Sequence, residues 1–228
     1  MWRQMMPRVA APHRDVARGV VAAVARGAFG ATRAGASRAM CARDARDLRE
    51  LWAQSYDGWV VPSANASSTT VYLKPTTASL DAISRTCDAL PSVVNELFLF
   101  AVTGHNPMGV EVDATANAEA NAKLLEDLRR LTDVRAMWPS FGFSADWRED
   151  GYVCAFEDRE RGLEVMVEVA KKYAQGAIYA YEAVREDGAA EDEPARGARA
   201  LLRRTVPAAM SDVVADEVIM VMCDEPKF

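Results

Sequence analysis

The segment Glu96 to Thr103 does most to limit what this chain can fold into. Its apolar residues, Leu97-Phe98-Leu99-Phe100-Ala101-Val102, run without alternation and stop shortly before Asn106-Pro107. A run this short, rich in β-branched and aromatic residues and closed by a turn signal, predicts a strand and not a helix. The lack of alternation means that both faces are buried, which places it centrally in a sheet.

The segments after it predict a regular order. Asp113 or Thr115 caps a helix running to about Leu131, with Leu124, Leu128 and Leu131 inward and Lys123, Glu126, Asp127 and Arg130 outward. Val134 to Trp138 reads as a short strand stopped by Pro139, and Gly151 to Phe156 as another. From Arg159 to Ala174, Leu163, Met166, Val167, Ala170 and Tyr173 recur with helical period, before a strand from Ala177 to Glu182. Strand, helix, strand, strand, helix, strand is the split βαββαβ pattern. The expected fold class is therefore α+β: a two-layer sandwich with a ferredoxin-like core and a mainly antiparallel sheet. Ahead of it, a helical pattern at Asp44 to Gln54, strands at Tyr56 to Val61 and Thr69 to Lys74, and a helix at Thr77 to Leu90 ended by Pro91 extend the same layers.

Charge divides the chain. Residues 1–43 carry eight Arg against the single acid Asp15, a net of +7, which leaves −13 for the rest of a chain whose total is −6. An Arg- and Ala-rich, acid-poor leader has the composition of an organelle transit peptide. With only Thr32 and Ser37 as hydroxyls, it points to the mitochondrion ahead of the chloroplast. The expected organisation is leader 1–43, one domain 44–183, a charged linker 184–205 becoming helical near Leu201, and an extension 206–228. The strand Glu217 to Cys223 in that extension is expected to pair with a sheet edge or another subunit. No apolar run approaches the roughly 18 residues that span a bilayer. Cys41, Cys87, Cys154 and Cys223 have neither disulfide-framework nor zinc spacing.

The same stretch holds the residues that need explaining: Thr103-Gly104-His105-Asn106-Pro107-Met108-Gly109, then Asn117 and Asn121, then Asp146-Trp147-Arg148-Glu149, then Gln175 before the last strand. An Asn-Pro turn closing a strand, a helix with paired Asn, a Trp-x-Glu loop and a Gln before a strand together resemble the domain-of-unknown-function family numbered 3293, over about residues 51–182. That resemblance implies no established activity. The chain departs from the family's pattern at His105, where an aromatic is usual, at Gly176, where Asn is usual, and at Thr115-Ala116, where an acid is usual.

The spacing 117, 121, 124, 128, 131 puts Asn117 and Asn121 on the same helix stripe as three leucines, so two amides point coreward and need partners. They either tie the Asn106-Pro107 loop to the sheet or line a pocket for a polar ligand. Glu149, beside Trp147, is either a general acid or base or a structural carboxylate paired with Arg148 or Arg135. His105 is either a ligand or base, or a ring stacked or exposed at the surface.

Ligand-binding candidates are Asn106, Asn117, Asn121, Trp147, Glu149 and Gln175; catalytic candidates are Glu149 and His105. There is no dinucleotide or phosphate-loop fingerprint, no His-Glu-x-x-His and no Gly-x-Ser-x-Gly. No cofactor or metal is expected, and the −13 charge argues against a nucleic-acid partner. Three functions stay open: binding of a small polar molecule or a protein partner, an enzyme using Glu149, and a structural subunit of an organellar assembly.

Overall fold

The computed structural model describes residues 45–62, 68–184, 197–210 and 216–228. The leader 1–43 and most of the segment read as a charged linker lie outside them. The described chain runs α1 (Ala45–Gln54), β1 (Tyr56–Pro62), β2 (Ser68–Thr76), α2 (Leu80–Thr86), α3 (Val93–Glu96), β3 (Phe98–Thr103), a 3-10 turn (Pro107–Gly109), α4 (Ala114–Leu128), β4 (Ala136–Phe143), β5 (Arg148–Phe156), α5 (Arg159–Lys172), β6 (Ala177–Ala183), β7 (Ala200–Pro207) and β8 (Glu217–Cys223).

These strands do not form the expected ferredoxin-like sandwich. They close into an eight-stranded barrel in the order β1-β2-β8-β7-β6-β3-β5-β4, each neighbouring pair antiparallel, with β4 returning to β1. The alternation of strands and helices from β3 to β6 is present, but the sheet it builds has no free edge. The β1–β2 hairpin joins it through β4, and β7 and β8 join it through β6. Ala200–Pro207, inside and just past the segment read as linker and helix, is a strand because its inward residues Leu201, Arg203 and Thr205 complete the interior. The strand at Glu217–Cys223 pairs with β2 and β7. Pro139 does not stop β4. It sits exposed on the outside while the strand continues to Phe143.

The uninterrupted apolar run of β3 has a different cause from the one expected. Leu99 faces the barrel interior with Trp59, Leu73, Trp138, Val153, Tyr181, Leu201 and Met220. Phe100 and Val102 face outward, where with Cys154, Phe156 and Ile178 they pack under Leu124 and Leu128 of α4 and Met166 and Ala170 of α5. Both faces are buried, but one of them lines a barrel. Asp113 caps α4 by accepting from Thr115 N and Ala116 N at 2.9 Å, and Asp158 caps α5 through Arg161 N at 2.9 Å. No helix among the described residues is long and apolar enough to cross a membrane.

Candidate functional site

Three connections meet at one end of the barrel: β3 to α4, β4 to β5, and α5 to β6. The first leaves β3 through backbone that side chains rarely adopt, since Asn106 (φ 46°) and Met108 (φ 55°) are left-handed, as is Ala174 (φ 50°) opposite them. Amides hold it there. Asn121 Oδ1 accepts from Gly104 N at 2.8 Å, and its Nδ2 donates to Asp150 O at 2.6 Å. Asn117 Oδ1 accepts from Asn106 N at 2.8 Å, while its Nδ2 donates to Asn106 Oδ1 at 3.0 Å. Gln175 Nε2 donates to His105 O at 2.9 Å. The helix amides therefore serve the loop's backbone, and their orientation is fixed by it.

Asn106 passes that order on. Its Oδ1 is occupied by Asn117 Nδ2 and by Val112 N, so its Nδ2 points to Glu149 Oε1, 2.9 Å away. Arg148 and Arg135 take other partners, Asp150 at 2.8 Å and Glu157 at 2.7 Å. Glu149 shares the alternation of Gly151 and Val153 and lies in register with Gly142 and, through it, Asp57 on β1. It therefore stands at the rim of the barrel interior. The ring of Trp147 closes on Gly142, where a Cβ would lie 3.3 Å from it, and its buried indole N–H meets no acceptor among the described residues. His105 is half-buried, and desolvation holds its pKa below the ordinary range, against the opposing pull of Asp150.

Below the rim lies a polar cluster that the sequence did not disclose. Arg203 Nη1 donates to Asp57 Oδ2 at 2.9 Å and to Ser55 Oγ and O at 3.1 Å. Its Nη2 donates to the α1 carbonyls of Trp52 and, at 3.4 Å, Ala53, so one guanidinium fastens the end of α1 to the barrel. Tyr181 OH donates to Asp57 Oδ2 at 3.1 Å, the Tyr179 hydroxyl lies 3.3 Å from Ser55 Oγ, and the guanidinium sits 4.5 Å from the centre of the Tyr179 ring. Asp57 is 3 % exposed and Arg203 1 %. Burial pushes the Asp57 carboxyl above its ordinary value of 3.8 although Arg203 pulls it back part of the way, and burial pushes Tyr179 up to about 12.

The barrel is not filled throughout at this end. Ala101 points inward from the middle of β3, in register with Val153 on one side and Tyr179 on the other, and α5 covers the outer face of β3. Val153 is fully buried, yet Ala101 and Tyr179 keep accessible surface, as do Thr103, Gly142 and Glu149 nearer the rim. Small inward residues thus leave a hollow that runs from the rim to Ala101.

The structure brings Asn106, Asn117, Asn121, Gln175 and Glu149 to one end of the fold, with His105 and Trp147 beside them. It adds Ser55, Asp57, Tyr179, Tyr181 and Arg203. Arg203 had no legible signal, because its neighbours Arg199 and Arg204 gave the segment the look of a solvated linker. Asp57 was flanked by Tyr56 and Gly58, with nothing to mark it as buried.

The fold and site define a closed antiparallel barrel with an apolar end, a polar end and an amide-braced loop at the polar rim. Residues 102–178 match the model of the family described as Protein of unknown function (DUF3293). The match bears out the resemblance carried by the Asn-Pro, paired-Asn, Trp-x-Glu and Gln motifs, and its span runs from the end of β3 to the start of β6, the elements that build the rim. Comparison with curated proteins and with solved structures gave no match.

Proposed function

We propose that the protein binds a small polar molecule in the hollow at the polar end of the barrel. The observation that carries this reading is the surface kept by Ala101 and Tyr179, inward residues in a barrel whose other described interior positions at that depth are buried. Glu149 and the Tyr179 hydroxyl are the polar contacts. Asn106 aims Glu149, and Asn117, Asn121 and Gln175 brace the loop that carries Asn106, so their part is positioning. Trp147 lies over the rim and excludes water. A buried ion pair adds little stability compared with apolar residues of the same volume. The Asp57–Arg203 pair under the hollow is therefore better accounted for by a polar site than by the fold alone.

The test is a thermal-shift screen of the full chain against amides, amino acids, nucleosides and small acids. A ligand at a hundred times its dissociation constant adds about 2.7 kcal/mol. The expected shift disappears in Ala101→Leu, which fills the hollow, and in Glu149→Gln, with circular dichroism showing both folded. A shift indifferent to both variants, or none with any compound, refutes the reading.

Exposed Met108 and Val110 at the tip of the braced loop favour a second reading, a protein partner docking on this end. It predicts that Met108→Glu removes a co-purifying protein and leaves the thermal-shift screen untouched. An organelle address in residues 1–43 belongs to the proposal on composition alone. Failure of that segment to carry a fluorescent protein into mitochondria or plastids removes it.

A further inference from the structure

Two more polar groups in the interior lack a partner. Trp59 is 0 % exposed and Trp138 2 %, and neither indole N–H has an acceptor among the described residues. Leaving a buried donor unserved costs as much as losing a hydrogen bond, and two such groups in one barrel call for a common cause. The rings lie 6.1 Å apart between centroids, at 60°. Trp138 is in register with Val153 and, one strand further, with Ala101, so the pair stands at the depth where the hollow ends. An indole N–H can only donate. Whatever completes these two groups must therefore bring an acceptor.

We propose that the ligand of the hollow is an uncharged carbonyl compound, an amide or a lactam, which enters oxygen first and is held at its inner end by the indole N–H groups of Trp59 and Trp138. This rests on the hollow being the binding site. Charge selects the neutral oxygen. A carboxylate there would share the interior with the Asp57 carboxylate and pass Glu149 at the rim. The guanidinium nearest to it, Arg203, is already committed to Asp57, Ser55 and the α1 carbonyls. An amide also offers an N–H at its other edge, where Glu149 and the Tyr179 hydroxyl supply acceptors. The aromatic walls, with Trp59 and Tyr181 centroids 5.0 Å apart, suit a flat body.

The experiment titrates the full ¹⁵N-labelled chain with benzamide and, separately, with benzoate, following the indole N–H resonances of Trp59 and Trp138 and the Ala101 methyl. Trp59→Phe and Trp138→Phe assign the indoles. The expected result is a saturable downfield movement of both indole protons with benzamide, at least tenfold weaker binding of benzoate, and about tenfold weaker benzamide binding in each Phe variant. If the Ala101 methyl responds and the indoles do not, the hollow stands and the acceptor assignment falls. Equal or tighter binding of benzoate overturns the choice of a neutral ligand. If neither the methyl nor the indoles respond to either probe, the hollow reading falls with this one. Indoles already downfield in the free protein, with cross-peaks to bound water and no response to benzamide, assign the two donors to water and overturn the proposal.

Discussion

Replacing Arg203 by Met probes the interior most directly. The guanidinium is 1 % exposed and donates to Asp57, Ser55, Trp52 and Ala53. Methionine fills much of the same volume but leaves the Asp57 carboxylate buried with Tyr181 OH as its remaining described donor, and frees the α1 carbonyls. Removing one member of a buried pair costs about 3–5 kcal/mol, and at about 2–4 °C per kcal/mol for a domain of this size the midpoint should fall by roughly 6–20 °C. Asp57→Leu combined with Arg203→Met removes both charges, and should lie within about 2 kcal/mol of the parent protein. Urea denaturation of the parent, both single variants and the double variant closes the cycle. A single-variant cost under about 1 kcal/mol, or a double-variant cost equal to the sum of the singles, refutes the buried pair.

The pH dependence has a definite sign. Because the Asp57 pKa is raised on folding, its contribution to stability is fully present below the unfolded value of 3.8 and is lost as pH rises through the folded value; relative to Asp57→Asn, the parent should therefore lose stability upward from about pH 4, read by urea midpoints across the acid range. Asn117→Leu with Asn121→Leu orphans the N–H groups of Gly104 and Asn106 and should destabilise by about 2–4 kcal/mol; a neutral or stabilising result would show that the loop is braced otherwise. Gly58→Ala places a Cβ 2.1 Å from the Phe141 ring and should cost about 1–3 kcal/mol, most of it recovered with Phe141→Leu. Cys154, fully buried with its thiol pushed up to about 12 by desolvation, should resist iodoacetamide in the native protein and react only on unfolding, as peptide mass spectrometry can follow.

Between β3 and β6 the sequence was legible because each element buries one face with a clear period: Leu124 and Leu128 under α4, Met166 and Ala170 under α5. Closure was not legible, because it depends on which edges meet. Nothing local in Tyr56 to Pro62 says that it pairs with β4 as well as β2. β7 was hidden because its inward positions alternate Leu201, Arg203 and Thr205, and a buried arginine erases the apolar alternation that marks a strand. For the site, the helix stripe placed Asn117 and Asn121 correctly on the core side, since spacing alone decides that. Asp57 and Arg203 come from strands 146 residues apart, and the pair exists only once the ring is shut.

Ring closure also bears on synthesis. β8, the last strand made, is the one that bridges β2 and β7. A chain emerging from the ribosome carries both of those edges unpaired until residues 217–223 appear, and open edges are where strands from other chains attach. The segment that matches the family model is made well before then, and its helices can already cover one face of β3, β5 and β6. The opposite face, with Leu99 and Val153, and the ion pair beneath the rim gain their full surroundings only when the final strand docks, so a chain halted before Glu217 keeps its future interior open to water.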